Sequence, residues 1–331
     1  MSTKKNITWL LIPIITLIAT ISHTPKITKA DEPVWKPVSE FSDVKKGNPH
    51  YIAINYLREN GIVEGYTMNE DYTFKPKQKI SRAEALKIFM LASKAIKDSS
   101  EVLDKGNTIV QTNESPLKDV PSNSWFAPYV AIAKEKNIIS GYKDGTFQPD
   151  KTINLAESLK IFLNCYTNIE YPSTSDIFDD VAPEEWYSKY AAYAKQETLV
   201  DVSDENHIDP NQDMTRGYMA EIIYRKIMND TVSDIEFGRA TYYGNGAEGD
   251  NTASGEKLVN ANFVAAHKTL PFGTIVEVTN LATGKSIQVK IIDRGPYGHG
   301  RIIDLSSGAF AALADLSTGV ITVQDKVIHL P

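Results

Sequence analysis

The stretch Lys290–Ser306 reads K-I-I-D-R-G-P-Y-G-H-G-R-I-I-D-L-S. Two short apolar runs, Val289–Ile292 and Ile302–Ile303, each end in a lone aspartate, Asp293 and Asp304. Paired carboxylates flanking a bond are what glycosidic cleavage requires: one group protonates the leaving oxygen while the other stabilises or activates. A structural role fits the same spacing, with Asp293 paired to Arg294 or Arg301 and Asp304 capping the next segment. Gly and Pro punctuate the residues between them, so the pattern predicts two strands joined by a tight loop. Two strands entering one sheet would deliver both carboxylates near the same end.

The surrounding sequence supplies matching elements. From Arg239 onward, apolar residues alternate or cluster in short runs at Ala240–Tyr243, Thr274–Val278, Ser286–Ile292, Gly319–Val323 and Val327–Leu330. Turn residues lie between them, and one helical segment is expected at Ser306–Leu316. That describes an all-β unit over 237–331. Its local motifs are A-T-Y-Y-G (240–244), T-A-S-G-E (252–256), A-A-H-K-T-L-P-F-G-T (265–274), V-T-N-L (278–281) and D-R-G-P…G-R-I-I-D-L-S (293–306).

Together these motifs resemble the rare lipoprotein A (RlpA) family of six-stranded double-psi β-barrels, related to barwin, expansins and a class of lytic transglycosylases. The resemblance implies functional positions at Glu256, His267 and Asp293, with Asp304 where expansins and barrel-type transglycosylases place their acidic residue. It also implies a reaction, non-hydrolytic cleavage of the MurNAc–GlcNAc bond of peptidoglycan strands with formation of 1,6-anhydromuramoyl ends. One carboxylic acid suffices as acid and then base, because the substrate supplies its own nucleophile. A second carboxylate nearby would raise the first one's pKa. Asp293 or Asp304 is therefore the expected acid/base, with Glu256 as positioning or electrostatic partner. His267 suits either a substrate contact or a buried hydrogen-bonded role. Tyr243, Arg294 and Tyr297 are the expected glycan contacts, although aromatics in small barrels also serve as core. The alternative reading is a non-catalytic, expansin-like glycan-binding or wall-loosening protein; no β-sandwich partner domain follows the barrel as it does in most expansins. No Cys/His cluster argues for a metal, and no glycine-rich strand–helix turn argues for a nucleotide cofactor.

The chain has 331 residues, 42% hydrophobic and 23% charged, which is ordinary for a folded protein of two or more domains. Lys4 and Lys5 precede an apolar run from Trp9 to Ile21 and a small-residue stretch ending at Ala30, which predicts a signal peptide over 1–30. The run is short for a spanning helix, and no later segment would cross a membrane. Cleavage would remove four lysines and leave 31 basic against 42 acidic residues. Neither part is then basic enough to hold nucleic acid by bulk charge. Cys165 is the only cysteine, so no intramolecular disulfide forms and no acylated N-terminal cysteine is available.

Between signal and barrel the sequence repeats itself. Phe41-Ser-Asp43-Val44, Leu117-Lys-Asp119-Val120 and Phe178-Asp-Asp180-Val181 open three similar blocks. Each continues with an aromatic-led helical stretch, a turn such as Gly141–Pro149, and a second helix opening at Ser81-Arg-Ala-Glu84, Asn154-Leu-Ala-Glu157 or Thr215-Arg-Gly-Tyr218. The first two openings fit a capping box. These blocks resemble surface-layer homology (SLH) repeats, placed at 38–93, 116–168 and 176–229, with a polar, elementless insertion at 94–115 and a linker at about 230–236. The resemblance implies a three-part helical bundle that anchors exported proteins to secondary cell-wall polysaccharides, often pyruvylated. It assigns polymer binding to Asp43, Asp119 and Asp180 and to the arginines Arg82 and Arg216; Leu155 replaces the arginine of the second repeat. The aspartates suit turn or helix capping equally well, while planar guanidinium forks suit carboxylate and ketal ligands. The whole is expected to be multidomain, helix-rich repeats followed by an all-β barrel, secreted and held at the cell wall or surface layer.

Overall fold

The computed structural model describes residues 40–331 apart from 70, 98, 113 and 245, so the expected signal at 1–30 lies outside the described residues. The first repeat contains α1 (Tyr51–Glu59), a small ribbon of β1 (Tyr66–Met68) against β2 (Asp71–Thr73), and α2 (Arg82–Ala92). A further helix, α3 (Ser99–Thr112), precedes the second repeat, α4 (Ala127–Glu135) and α5 (Leu155–Asn164). The third repeat is α6 (Ser188–Gln196) and α7 (Arg216–Thr231). The sequence starts the second helices as expected: Ser81 with Glu84, and Asn154 with Glu157, close reciprocal capping boxes, while Thr215 accepts from the Tyr218 amide alone.

The three repeats close on one another. The Ile80 amide donates to the Met214 carbonyl (3.0 Å), Met214 to Ile153 (2.9 Å) and Ile153 to Ile80 (3.2 Å), a closed ring with all three side chains fully buried. This ring makes the repeats approximately threefold related. Asp43, Asp119 and Asp180 stand at equivalent places in the three repeats. Their carboxylates accept from the paired amides of Phe74 and Lys75, of Phe147 and Gln148, and of Ile208 and Asp209. Lys75, Gln148 and Asp209 are non-glycine residues at φ of 58°, 57° and 59°, so each carboxylate holds a left-handed turn in place. Of the two roles expected for these aspartates, turn capping is the one these bonds describe.

The insertion also differs from expectation, because Ser99–Thr112 is helical. Val102 and Ile109 lie seven residues apart on one face, and Ile109 is buried, while Gly106 allows Pro128 of α4 to approach. Ion pairs from Lys105 to Glu135 and from Lys136 to Glu101 hold its outer edge. So narrow an apolar stripe is lost in a polar sequence.

The C-terminal unit is a closed six-stranded barrel. Its strands are β3 (Ile235–Tyr242), β4 (Val264–His267), β5 (Ile275–Asn280), β6 (Ser286–Asp293), β7 (Arg301–Leu305) and β8 (Ile321–His329), in the order β3-β7-β4-β6-β5-β8. β3 and β7 run parallel, as do β4 and β6; the other pairs are antiparallel. Helix α8 (Ser307–Leu313), capped by Ser306, packs Phe310 and Leu313 among Ala240, Ala265, Val276, Val278, Val289, Ile291, Ile303, Leu305 and Val323. The runs at 319–323 and 327–330 belong to one strand, and β6 and β7 are not neighbours, because β4 lies between them.

No long linker separates the two parts. Helix α7 ends at Thr231 and β3 begins at Ile235, and Phe237 and Leu281 of the barrel are buried within the core of the repeats.

Candidate functional site

Ala240, Ala265, Ile303 and Leu305 fill the barrel interior, so their chain neighbours Thr241, Ala266 and Asp304 face outward. Register aligns them: Thr241 stands opposite Asp304, Asp304 opposite Ala266, and Ala266 opposite Asp293. Four adjacent strands thus present Thr241, Asp304, Ala266 and Asp293 as one row on the outer face. Tyr243, two residues beyond Thr241, joins the same face.

The two carboxyl groups have unequal surroundings. Asp293 accepts three hydrogen bonds: from the Tyr243 hydroxyl to Oδ2 (2.9 Å), and from the amides of Ala253 (2.8 Å) and Arg294 (2.9 Å) to Oδ1. Asp304 accepts one, from the Thr241 hydroxyl (2.9 Å). Burial pushes its carboxyl above the usual carboxylate range; Thr241 and Arg301 pull it down, and the charge of Asp293 pushes it up. Burial and the bond to Asp293 likewise raise the Tyr243 phenol.

The loop over 244–258 delivers the Ala253 amide. It closes on itself through the Thr252–Glu256 and Gly249–Leu258 backbone bonds, and Leu258 packs with Val264, Ile292 and Tyr243 beneath it. Glu256 at its end does not reach the row. Both of its oxygens bond Lys290 Nζ (2.8 and 2.7 Å) at the exposed surface. His267 also lies apart. It follows Ala266 on β4 and so points to the opposite face, where Nδ1 accepts from the amides of Thr269 and Leu270 and Nε2 meets Glu236 at 3.3 Å. The structure therefore sets His267 as a buried turn anchor and Glu256 as half of a surface ion pair. Arg294 stacks on Phe272 with 3.7 Å between its guanidinium carbon and the ring centroid and donates to the backbone carbonyls of His267 and Asp293, while Tyr297 stands 83% exposed in the loop between β6 and β7. Thr241 and Ala253 were not singled out by sequence. Alternation along A-T-Y-Y places Thr241 and Tyr243 on one face and was the signal available for Thr241; the Ala253 amide had none.

The repeats carry two equivalent grooves. One, of about 440 Å³, is lined by Arg216, Tyr66, Glu84, Lys87, Trp125 and Tyr129. The other, of about 400 Å³, is lined by Arg82, Tyr142, Lys143, Glu157, Lys160 and Trp186. Each arginine is buried and stacked on the groove tyrosine, with 4.7 Å to the ring centroid in both cases. Each Nε donates to a carbonyl of the neighbouring repeat, Arg82 to Phe147 (3.0 Å) and Arg216 to Phe74 (2.9 Å). Trp125 and Trp186 remain about half exposed at the groove walls. The two arginines expected for polymer binding are thus joined to grooves.

Residues 235–324 match the family described as lytic transglycolase, and residues 40–86, 116–157 and 177–220 match the S-layer homology domain. A "Probable endolytic peptidoglycan transglycosylase RlpA" of Synechocystis sp. is 51% identical over 99 residues, covering 30% of this chain and 31% of that protein. The "Endolytic peptidoglycan transglycosylase RlpA" of Campylobacter jejuni is 41% identical over 97 residues, covering 29% and 35%. The chain thus spans about a third of the length of these curated relatives. Among solved structures, a Streptomyces papain inhibitor is 28% identical over 30% of this chain and 98% of its own, with a TM-score of 0.25. The chain carries three S-layer homology repeats and, after them, a closed barrel of the lytic transglycolase family.

Proposed function

We propose that the protein is an exported, wall-attached enzyme that cleaves peptidoglycan strands at the MurNAc–GlcNAc bond and leaves 1,6-anhydromuramoyl ends. The observation carrying this reading is the inequality of Asp304 and Asp293 along one row: a raised, once-bonded carboxyl beside a carboxylate fixed by three donors. The printed names of the relatives support the substrate class. Asp304 protonates the bridging oxygen as the glycosidic bond breaks. Its carboxylate then takes the proton of the muramoyl C6 hydroxyl, whose oxygen closes on C1, so the acid is regenerated without water. Asp293, fixed by its three donors, stands beside the developing oxocarbenium charge and stabilises it.

Attachment is assigned to the two grooves. A buried arginine, a stacked tyrosine and an exposed tryptophan suit an acidic sugar, with the guanidinium meeting its carboxylate and the indole its ring face. A pyruvylated wall polysaccharide has that chemistry.

Mass spectrometry of purified sacculi digested with the full protein tests the reaction. Anhydromuramoyl ends are expected. Reducing muramoyl ends would make the enzyme a hydrolase, and intact glycan would favour the expansin-like reading.

A further inference from the structure

The threefold ring requires a third groove position, and the chain has altered it completely. Each groove described above takes its arginine from one repeat, its tyrosine and glutamate from the next, and its tryptophan from the remaining one. At the third position the arginine site holds Leu155, whose amide bonds Gln212 just as those of Arg82 and Arg216 bond Lys151 and Gln78. The tyrosine site holds Ser203, whose amide bonds His207 as that of Tyr142 bonds Thr146. Tyr218 stands in for the glutamate, three residues past the cap of α7. Pro49 stands in for the tryptophan, one residue before the His50 cap of α1, as Trp125 and Trp186 precede the caps Phe126 and Tyr187. These departures come from three different repeats and occupy the positions equivalent to those that line each of the other two grooves.

That place is bonded from within, and the barrel packs beside it. Inside, the Asp201 amide bonds the Tyr218 hydroxyl, and the buried Arg225 binds Asp201 (2.7 Å) and Glu221 (3.1 Å). Outside lies the barrel. Asp204, next to Ser203, meets Arg239 of β3 at 3.0 Å and Arg301 of β7 at 3.1 Å. Gly300 lies so close to Val202 that a Cβ there would fall 2.7 Å from the Val202 carbonyl oxygen. The Phe237 amide bonds Thr198 of the third repeat, and the Gly47 and Ile52 amides of the first repeat bond the carbonyls of Ala282 and Leu281.

We infer that the third groove position has become the seat of the barrel, which it holds in one orientation. The chain then offers two polymer grooves, and the Asp293–Asp304 row sits at a fixed distance from both. The count of two rests on the attachment reading above; the seat does not.

Pulsed electron–electron spin resonance on the full protein tests the seat without any ligand. Spin labels would be placed at Thr167→Cys in the repeats and Gln288→Cys in the barrel, with Cys165→Ser removing the native thiol. A single narrow distance distribution is expected. Val202→Arg with Asp204→Arg, both on a surface turn, should broaden it while leaving far-UV circular dichroism unchanged, and Arg239→Glu from the barrel side should do the same. A broad distribution in the parent overturns the seat, as does a narrow one that survives these changes. Wall retention measured on the same proteins separates the two readings: its loss in the parent counts against the grooves and not against the seat.

Discussion

Asp293 and Asp304 both stand level with Ala266, one on each side of strand β4, on the outer face of the barrel. The two carboxyls have unequal surroundings, and burial is the main cause that raises Asp304. Three donors converge on Asp293 and one on Asp304, while burial of Asp304 raises its carboxyl.

Thr241 tunes the acid. Its hydroxyl is the donor that pulls the Asp304 carboxyl downward. Thr241→Val should therefore move the alkaline limb of the pH–activity profile to higher pH, because Asp304 stays protonated longer. Thr241→Ser should restore the parent profile. A limb that does not move in the valine variant would remove Asp304 from the acid role or Thr241 from its control.

Both groove arginines are expected to contribute to attachment. Hydrogen bonds to a charged group are worth about 1.5–3 kcal/mol, so Arg82→Ala or Arg216→Ala should each weaken retention by roughly 10- to 100-fold. The double variant should release the protein, whereas Leu155→Ala should matter little. Because both arginines also bond neighbouring repeats, melting curves must accompany the pull-downs. Equal binding to sacculi stripped of accessory polymer would contradict the assignment.

Asp325 should make the protein less stable as pH rises. It is buried on β8, with no hydrogen-bond partner for either oxygen among the described residues; burial, then Glu236, raises its carboxyl well above 3.8. The folded state therefore holds this proton more tightly than the unfolded state. Its contribution is full below the unfolded value and is lost as pH climbs toward the folded one. Asp325→Asn should melt higher than the parent at pH 7, with the difference vanishing near pH 4 in calorimetry. A difference that does not change with pH would contradict this.

Local chemistry was legible in the sequence, and long-range pairing was not. The capping residues Ser81, Asn154 and Thr215 act within their own turns, and the Gly/Pro loop after Asp293 marks its own boundary. The insertion of β4 between β6 and β7 depends on one parallel and one antiparallel pairing between strands distant in sequence, which no neighbouring residues encode. For the same reason Glu256 and His267 read as partners of the aspartates although strand alternation and Lys290 turn them elsewhere. The left-handed turns held by Asp43, Asp119 and Asp180 lie far along the chain from each aspartate, so no local pattern shows them. The altered third groove is spread over Pro49, Leu155, Ser203 and Tyr218, and only the closed ring brings these together.

The most direct test of the account compares Asp304→Asn with Asp293→Asn, measuring anhydromuropeptide release and melting temperature for each. An amide cannot give and retake a proton, so Asp304→Asn should lose about 10²–10⁴-fold in turnover while melting close to the parent. Asp293→Asn should also lose activity, but with an earlier melt, because its NH2 replaces one of the two acceptor oxygens that Tyr243 and the Ala253 and Arg294 amides use, at a cost of about 1–3 kcal/mol. Full specific activity in folded Asp304→Asn would contradict the account.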